Sequence, residues 1–305
     1  MDKGHSEDYF GDERDFWWNQ DFFDLLAQRW DLPKYSSLLD VGCGLCHWSK
    51  LFCPYLKQPA EIFALDNDPK WAKGNDAVRE YFNNRNAIVR FIQGDANQLP
   101  FPDNFFDVVT CQTVLIHLKE PFKALQEMKR VLKNEGVLIC AEMNNSAGAL
   151  VRSSITEDEP IQDTLDRLKF HLICERGKKN LGEGDNSIGD LLPGYFARLD
   201  LKNIRVFLSD KASPMLPPYE TAEEKAMLQT LDQWLQNNAG DFDFHQALRY
   251  FKGFSDAKEN LAFFDKQWQK IKEDALRQKE AIAQKNYSSG GAYVMYLVSG
   301  NKGDK

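Results

Sequence analysis

No apolar run in this chain approaches the roughly twenty residues that a bilayer-crossing helix needs. Residues 1–10 are polar and acidic, without the pattern of a secretory leader, so the expectation is a soluble cytoplasmic protein with no membrane span. Positive charge is scarce as well: 38 Lys and Arg face 46 Asp and Glu, a formal net charge of −8. That balance disfavours a broad phosphate-binding surface and hence a nucleic-acid partner. Internal repeats and low-complexity linkers are absent, which leaves no basis for a repeat architecture. Cysteine is sparse at six residues, mostly in apolar or motif contexts, so the thiols read as reduced and not as a disulfide framework. Cys43-Gly-Leu-Cys-His47 spells a c-type haem attachment site and half a zinc site. Haem attachment wants an exported chain and zinc wants a second ligand pair, so neither group nor any other metal is expected.

What is present is a chain of 305 residues with 43% hydrophobic residues, ample for a buried core in one large domain or two smaller ones. From Leu38 onward, apolar strands near Leu38, Ile62, Ile88, Val108 and Val137 alternate with helix patterns near Trp48, Ala72 and Ala124. This rhythm calls for a doubly wound α/β fold. Three motifs punctuate it: Leu38-Leu-Asp-Val-Gly-Cys-Gly44, Ala64-Leu-Asp-Asn-Asp68 and Gly94-Asp-Ala-Asn-Gln-Leu-Pro-Phe101. The first is a strand running through a glycine turn into a helix, where backbone N–H groups can approach a ligand. The second delivers Asp66 about twenty residues after the glycines, the spacing of a carboxylate that grips ribose hydroxyls. The third puts Asp95 at the end of a third strand, 88–93, so each carboxylate lies at a strand's carboxyl end, where open α/β sheets bind ligands. A dinucleotide fingerprint wants glycine at position 47, and His47 stands there.

These motifs resemble the class I S-adenosylmethionine-dependent methyltransferases, in the group that includes the ubiquinone and menaquinone biosynthesis enzymes. The resemblance spans residues 38–144 and continues in Gln98-Leu-Pro-Phe-Pro-Asp-Asn-Phe-Phe-Asp-Val-Val109, Val114-Leu-Ile-His-Leu118 and Ala124-Leu-Gln-Glu-Met-Lys-Arg-Val-Leu132. It implies a Rossmann-like sheet of seven strands with an antiparallel last strand. It further implies that Asp40, Gly42, Cys43 and Gly44 hold the methionine end of S-adenosylmethionine and Asp66 its ribose. Asn67 and Trp71 would flank the adenine, Asp95 and the backbone of Ala96 would meet its edge, and Cys111 and Gln112, just after the fourth strand, would lie near the sulfonium. S-Adenosylhomocysteine is the implied product. Cys46 replaces the last glycine of the family's Gly-x-Gly-x-Gly turn, adding a side chain where the cofactor passes, which bears on binding and not on fold.

Each residue also has a plainer reading. Asp40 can brace the glycine turn, Asp68 can cap the helix after it and Trp71 can be a packed helix residue. His117, an imidazole suited to proton removal near neutral pH, is a candidate general base or a satisfied structural histidine. Glu142, at the end of the Val137 strand, is a base, a partner for a cationic substrate, or a solvated edge residue. His171 and His245 are weaker candidates, and a substrate that arrives already nucleophilic needs no base.

The organisation read from the sequence is an N-terminal helical cap at 1–36, a cofactor-binding core at 37–150 and a helical insertion at 151–186. Core continuation follows at 187–210, then a second helical insertion at 211–290 as a substrate lid, and a final core strand and tail at 291–305. A helix at 16–30 presents Phe16, Phe22, Phe23, Leu26 and Trp30 on one face, with Trp17 or Trp18 either packed or lining the pocket. Asn134-Glu-Gly136 reads as the end of the helix carrying Leu125, Met128 and Leu132. Leu216-Pro-Pro-Tyr219 reads as a rigid turn, because the amino-methylating element it resembles follows the fourth strand and needs an amide or carboxylate where Leu216 stands. Residues 266–285 read as a solvated helix with one packed stripe. Aromatics of the second insertion, Trp234, Phe242, Phe244, Tyr250, Phe251, Phe254, Phe263 and Phe264, form a lid over an apolar or aromatic substrate, the insertion's own small core or a dimer contact.

The function expected is methyl transfer to a small organic acceptor at O, N or C. The rivals are a cofactor-binding scaffold without activity and a protein or tRNA methyltransferase, the latter requiring a basic or peptide-sized groove. Acceptor and oligomeric state stay open, a dimer included.

Overall fold

The computed structural model describes residues 11–236, 244–291 and 294–303. Residues 1–10, Phe242 and the side chain of Trp234 lie outside them. Seven strands, β1 (Ser37–Val41), β2 (Ala60–Asp66), β3 (Ala87–Gln93), β4 (Phe106–Gln112), β5 (Leu132–Met143), β6 (Lys202–Leu208) and β7 (Met295–Asn301), form one sheet in the order β3-β2-β1-β4-β5-β7-β6. β1 to β5 are parallel, and β7 runs antiparallel between β5 and β6. The Rossmann-like doubly wound sheet with an antiparallel last strand is therefore the architecture. β1 and β4 are buried on both faces, which is why they read as continuous apolar runs without alternation.

An apolar cluster covers each face. One holds Phe23, Trp30, Trp48 and Phe52 against Leu38, Ile62 and Val108; the other holds Leu125, Met128 and Phe196 against Leu39, Val109 and Leu138. β2 and β3 lie on one side of β1 and β4 on the other, so the carboxyl ends of β1 and β4 flank the crevice where the strand order reverses.

Four local expectations need correction. The 16–30 segment is two pieces, a 3-10 turn Gly11–Phe16 and a helix Gln20–Arg29, so Phe16 is not on the face shared by buried Phe23, Leu26 and Trp30. The helix Pro121–Val131 stops before Asn134-Glu-Gly136, which lies inside β5 as a bulge: Phe106 pairs with Leu132 but Val108 pairs with Val137, and Glu135 takes φ +60°. The turn chemistry there is real, but it serves a strand irregularity instead of a helix end. Cys111 and Gln112 are the last two residues of β4 and do not follow it. The final strand begins at Met295.

The two insertions pack on each other. Phe170, Ile173 and Cys174 of the helix Ile161–Asn180 share a core with Tyr250 and Phe251 of the helix Phe244–Phe254 and with Phe264 and Trp268 of the helix Lys258–Ala283. The first two helices cross at Gly177, where a Cβ would lie 1.6 Å from the Tyr250 carbonyl oxygen. The aromatic rings thus build the cap's own core. Leu216-Pro-Pro-Tyr219 is a turn, with the Tyr219 hydroxyl donating to the Tyr287 carbonyl at 2.8 Å.

Candidate functional site

The site grows from the turn that ends β1. Gly42 has φ +72° and Gly44 φ +48°, left-handed values that favour glycine, and a Cβ on Gly42 would sit 2.4 Å from Val114 Cγ2. The Gly42 and Cys43 N–H groups both donate to the Leu65 carbonyl, at 2.7 and 3.0 Å. Asp66 completes the tie: its Oδ2 accepts from Gly44 N and its Oδ1 from Asp68 N, both at 3.0 Å. Asp40, next to the turn, is 1% exposed, and its Oδ2 has no hydrogen-bond partner. Burial pushes its pKa up to about 7 against the opposing pull of Ser49 and Arg14. A buried carboxylate oxygen with no partner, beside backbone held open by two glycines, fits the cationic, hydrogen-bonding methionine end of an adenosyl cofactor.

Cys46 adopts φ +61° as the residue before the helix His47–Phe52, so the left-handed turn that glycine would form without strain is formed here by a cysteine. Its side chain is fully buried in the apolar cluster of Trp48 and Phe52. The neighbouring Cys46 thiol, with burial, drives Cys43 far above the ordinary thiol range, so Cys43 is a neutral thiol.

On the other flank, Asp95 is exposed just after β3 and accepts from Asn97 N at 2.8 Å; Ala96 beside it is buried. Asn67 is exposed, and its carbonyl accepts from Gln93 Nε2 at 3.2 Å. Trp71 is buried in the short helix Pro69–Ala72, with Lys70 Nζ 4.2 Å from its ring centroid. Asp68 caps that helix through Lys70 N at 2.7 Å, as its place before Pro69 suggests. The Gly11–Phe16 turn closes over the glycine turn: Asp15 Oδ1 lies 2.8 Å from His47 Nδ1, Arg14 and Trp17 are buried, and Trp18 packs on Trp48 at 5.1 Å.

Beyond β4 the structure parts with the sequence reading. Glu142 is 0% exposed and faces no cleft; its Oε1 accepts from Val114 N and Leu115 N, both at 2.9 Å, and its Oε2 from Ile116 N at 3.3 Å. Burial pushes its pKa up to about 7 despite these bonds. It is a brace for the 3-10 turn Leu115–His117 and not an edge base. The Cys111 thiol lies 3.7 Å from Glu142 Oε1, in the cluster on the Leu125 face, so only its backbone belongs to the crevice. Gln112 is buried, with Nε2 3.8 Å from Met295 Sδ. His117 is exposed at the end of its turn. His171 stands 4.0 Å from Glu175 on the cap, and His245 lies on the outer groove beside Arg249 and Lys252.

Sequence reasoning missed a buried polar group at 175–187. Lys178 Nζ donates to the Ile116 carbonyl at 3.1 Å and to Asn186 Oδ1, and Asn186 Nδ2 donates to Glu175 Oε1 at 2.9 Å. Glu175, Lys178 and Asn186 belong to no motif, and Ile116, which does, lies 62 residues from Lys178 in the sequence. The one available signal was Lys and Glu where a packed helix face was due.

Among the described residues no His, Cys, Asp and Glu cluster could hold a metal, and no helix is long and apolar enough to cross a membrane. Residues 39–140, about a third of the chain and the stretch from β1 into β5, match the family described as "Methyltransferase domain". A demethylmenaquinone methyltransferase of Bacillus licheniformis is 33% identical over 119 residues, 39% of this chain and 50% of that one. An uncharacterized methyltransferase of Schizosaccharomyces pombe is 36% identical over 143 residues, 46% of this chain and 51% of that one. The chain thus spans about half the length of these curated relatives. The solved structure of a candidate methyltransferase from Bacillus halodurans superposes with a TM-score of 0.51 at 20% identity, covering 92% of this chain and 99% of that one, a likeness of fold.

Proposed function

We infer that this chain, whose residues 39–140 match a methyltransferase domain, is a class I methyltransferase that binds S-adenosylmethionine at the β1/β4 crevice and transfers its methyl group to a small organic acceptor at O, N or C. The observation that carries this reading is that Asp40, Asp66 and Asp95 stand at the carboxyl-end side of the neighbouring parallel strands β1, β2 and β3, with Asp66 bonded to the glycine turn. When bound, the cofactor supplies a methyl group on a positively charged sulfur, and the product is S-adenosylhomocysteine.

The chain's own residues do the rest. Asp40 offers an oxygen with no protein partner to the ammonium end. Asp66, already held by Gly44 and Asp68, keeps lone pairs for the ribose hydroxyls. Asn67, Trp71, Asp95 and Ala96 bound the adenine side. Glu142 fixes the Leu115–His117 turn at the acceptor side, and His117 is the exposed imidazole there for an acceptor that must lose a proton. The Gly11–Phe16 turn and the helical insertions exclude water from the crevice, and positioning in that dry site supplies much of the rate.

Incubation with methyl-labelled S-adenosylmethionine and a panel of quinols, phenols, amines and carboxylates tests the reading by release of S-adenosylhomocysteine and label in the acceptor. Labelled product from one class supports it and names the acceptor. Label only in added tRNA or protein, or firm S-adenosylhomocysteine binding with no turnover on any acceptor, transfers the assignment to the corresponding rival.

A further inference from the structure

We propose that Lys178, on the helical cap, is a positioning residue for the acceptor side of the crevice, acting through the Leu115–His117 turn; this rests on the methyltransferase reading of that crevice. The turn is gripped from both ends. Glu142, from β5, takes the three N–H groups of Val114, Leu115 and Ile116, and Lys178, from the helix Ile161–Asn180, takes the carbonyl of Ile116 at 3.1 Å. The backbone of Gly184 lies against the same carbonyl so closely that a Cβ would come 2.1 Å from its oxygen. Ile116 O is thus enclosed by the cap and by the segment that leaves it.

Lys178 is 5% exposed, and such a charge persists in a core only where partners orient it. Asn186 is that partner on one side, and it passes the interaction to Glu175, whose Oε2 also accepts from Ser187 Oγ at 3.4 Å. Ser187 Oγ in turn accepts from Ser146 N at 2.9 Å, just after β5. One chain of polar groups, buried from Lys178 to Glu175 and part-buried at Ser187 and Ser146, therefore joins the cap helix to both loops that border the acceptor side, after β4 and after β5. A purely apolar contact would tolerate sliding of the cap; these directional bonds do not. The arrangement ties the position of His117 to the seating of the cap, so an acceptor that reseats the helices moves the imidazole with them.

Amide hydrogen exchange over residues 113–118 tests this without an identified acceptor, on the full chain with and without S-adenosylhomocysteine. Lys178→Met is expected to speed exchange of the turn about tenfold or more, and Lys178→Arg to restore most of the protection. Because Lys178→Met strands Glu175, the double variant Lys178→Met with Glu175→Gln removes both charges and should show the same loosened turn in a folded cap. Phe264→Leu weakens the cap core without touching Lys178 and should leave the turn protected. Unchanged exchange in both Lys178→Met proteins, or equal loosening in Phe264→Leu, overturns the proposal. S-Adenosylhomocysteine binding should persist in all four variants; its absence from the wild type would instead count against the methyltransferase reading.

Discussion

The backbone N–H of Gly44 donates to Asp66 Oδ2 at 3.0 Å, so the carboxylate that ends β2 is joined to the turn that ends β1. One side chain therefore shapes the glycine turn and, in the proposed function, is the group that would meet the ribose. Asp66→Asn can accept only one of the two N–H groups the carboxylate now holds and turns an NH2 on the other. The expected result is a loss of about 1–3 kcal/mol in urea unfolding together with lost S-adenosylhomocysteine binding. Wild-type stability in this variant would separate the two roles.

Cys46 gives a rank order. Both variants lose the buried thiol, but at φ +61° glycine relieves left-handed strain of about 1 kcal/mol that alanine keeps. Cys46→Gly should therefore be more stable than Cys46→Ala by about 1 kcal/mol, with cofactor affinity unchanged from wild type in both. Thermal unfolding of the pair decides it; the reverse order would mean that the packed Cβ and the lower unfolded-chain entropy of alanine outweigh backbone strain.

Glu142 makes stability depend on pH with a definite sign. Its pKa rises from an ordinary 4.5 to about 7 in the folded chain, so the folded state holds the proton more tightly. The associated stability is fully present below about pH 4.5 and is lost as pH rises through about 7. In the difference between wild type and Glu142→Gln, Asp40 titrates in both and cancels. That difference should shift against the wild type by up to about 3 kcal/mol between about pH 5 and about pH 8. A flat difference in denaturant titrations across that window contradicts the assignment.

At Gly177 a Cβ would meet the Tyr250 carbonyl oxygen at 1.6 Å, so Gly177→Ala must push two cap helices apart. Destabilisation of at least about 1–3 kcal/mol is expected, read as faster hydrogen exchange in the helices Ile161–Asn180 and Phe244–Phe254 with β1 to β5 still protected. Uniform loosening of sheet and cap would mean that the two unfold as one unit.

The parts of this molecule legible in the sequence are those written locally. Apolar runs ending in Gly42, Asp66 and Asp95 announce parallel strands because buried parallel strands need no polar alternation, and strand-end carboxylates lie where such sheets bind ligands. What depends on distant partners was not. Asn134-Glu-Gly136 has the chemistry of a helix stop, yet the pairing of Val108 with Val137 turns it into a bulge. Glu142 has the look of a strand-edge base, and only the fold brings the N–H groups of 114–116 to it. Lys178 carries only the weak signal of a charge on a packed helix face, because Ile116 reaches it from another segment and Asn186 from just beyond the helix end.

The most direct test of the cofactor site is a calorimetric titration with S-adenosylhomocysteine of the wild type and of Asp95→Ala. Asp95 is exposed and its side chain bonds locally, to Asn97 N and Nδ2, so its removal probes binding without loosening the glycine turn. The expected result is a wild-type Kd near the micromolar range, about −8 kcal/mol, weakened about tenfold or more in Asp95→Ala at unchanged melting temperature. No binding by the folded wild type, or equal affinity in the two proteins, would contradict the placement of the cofactor among these strand ends.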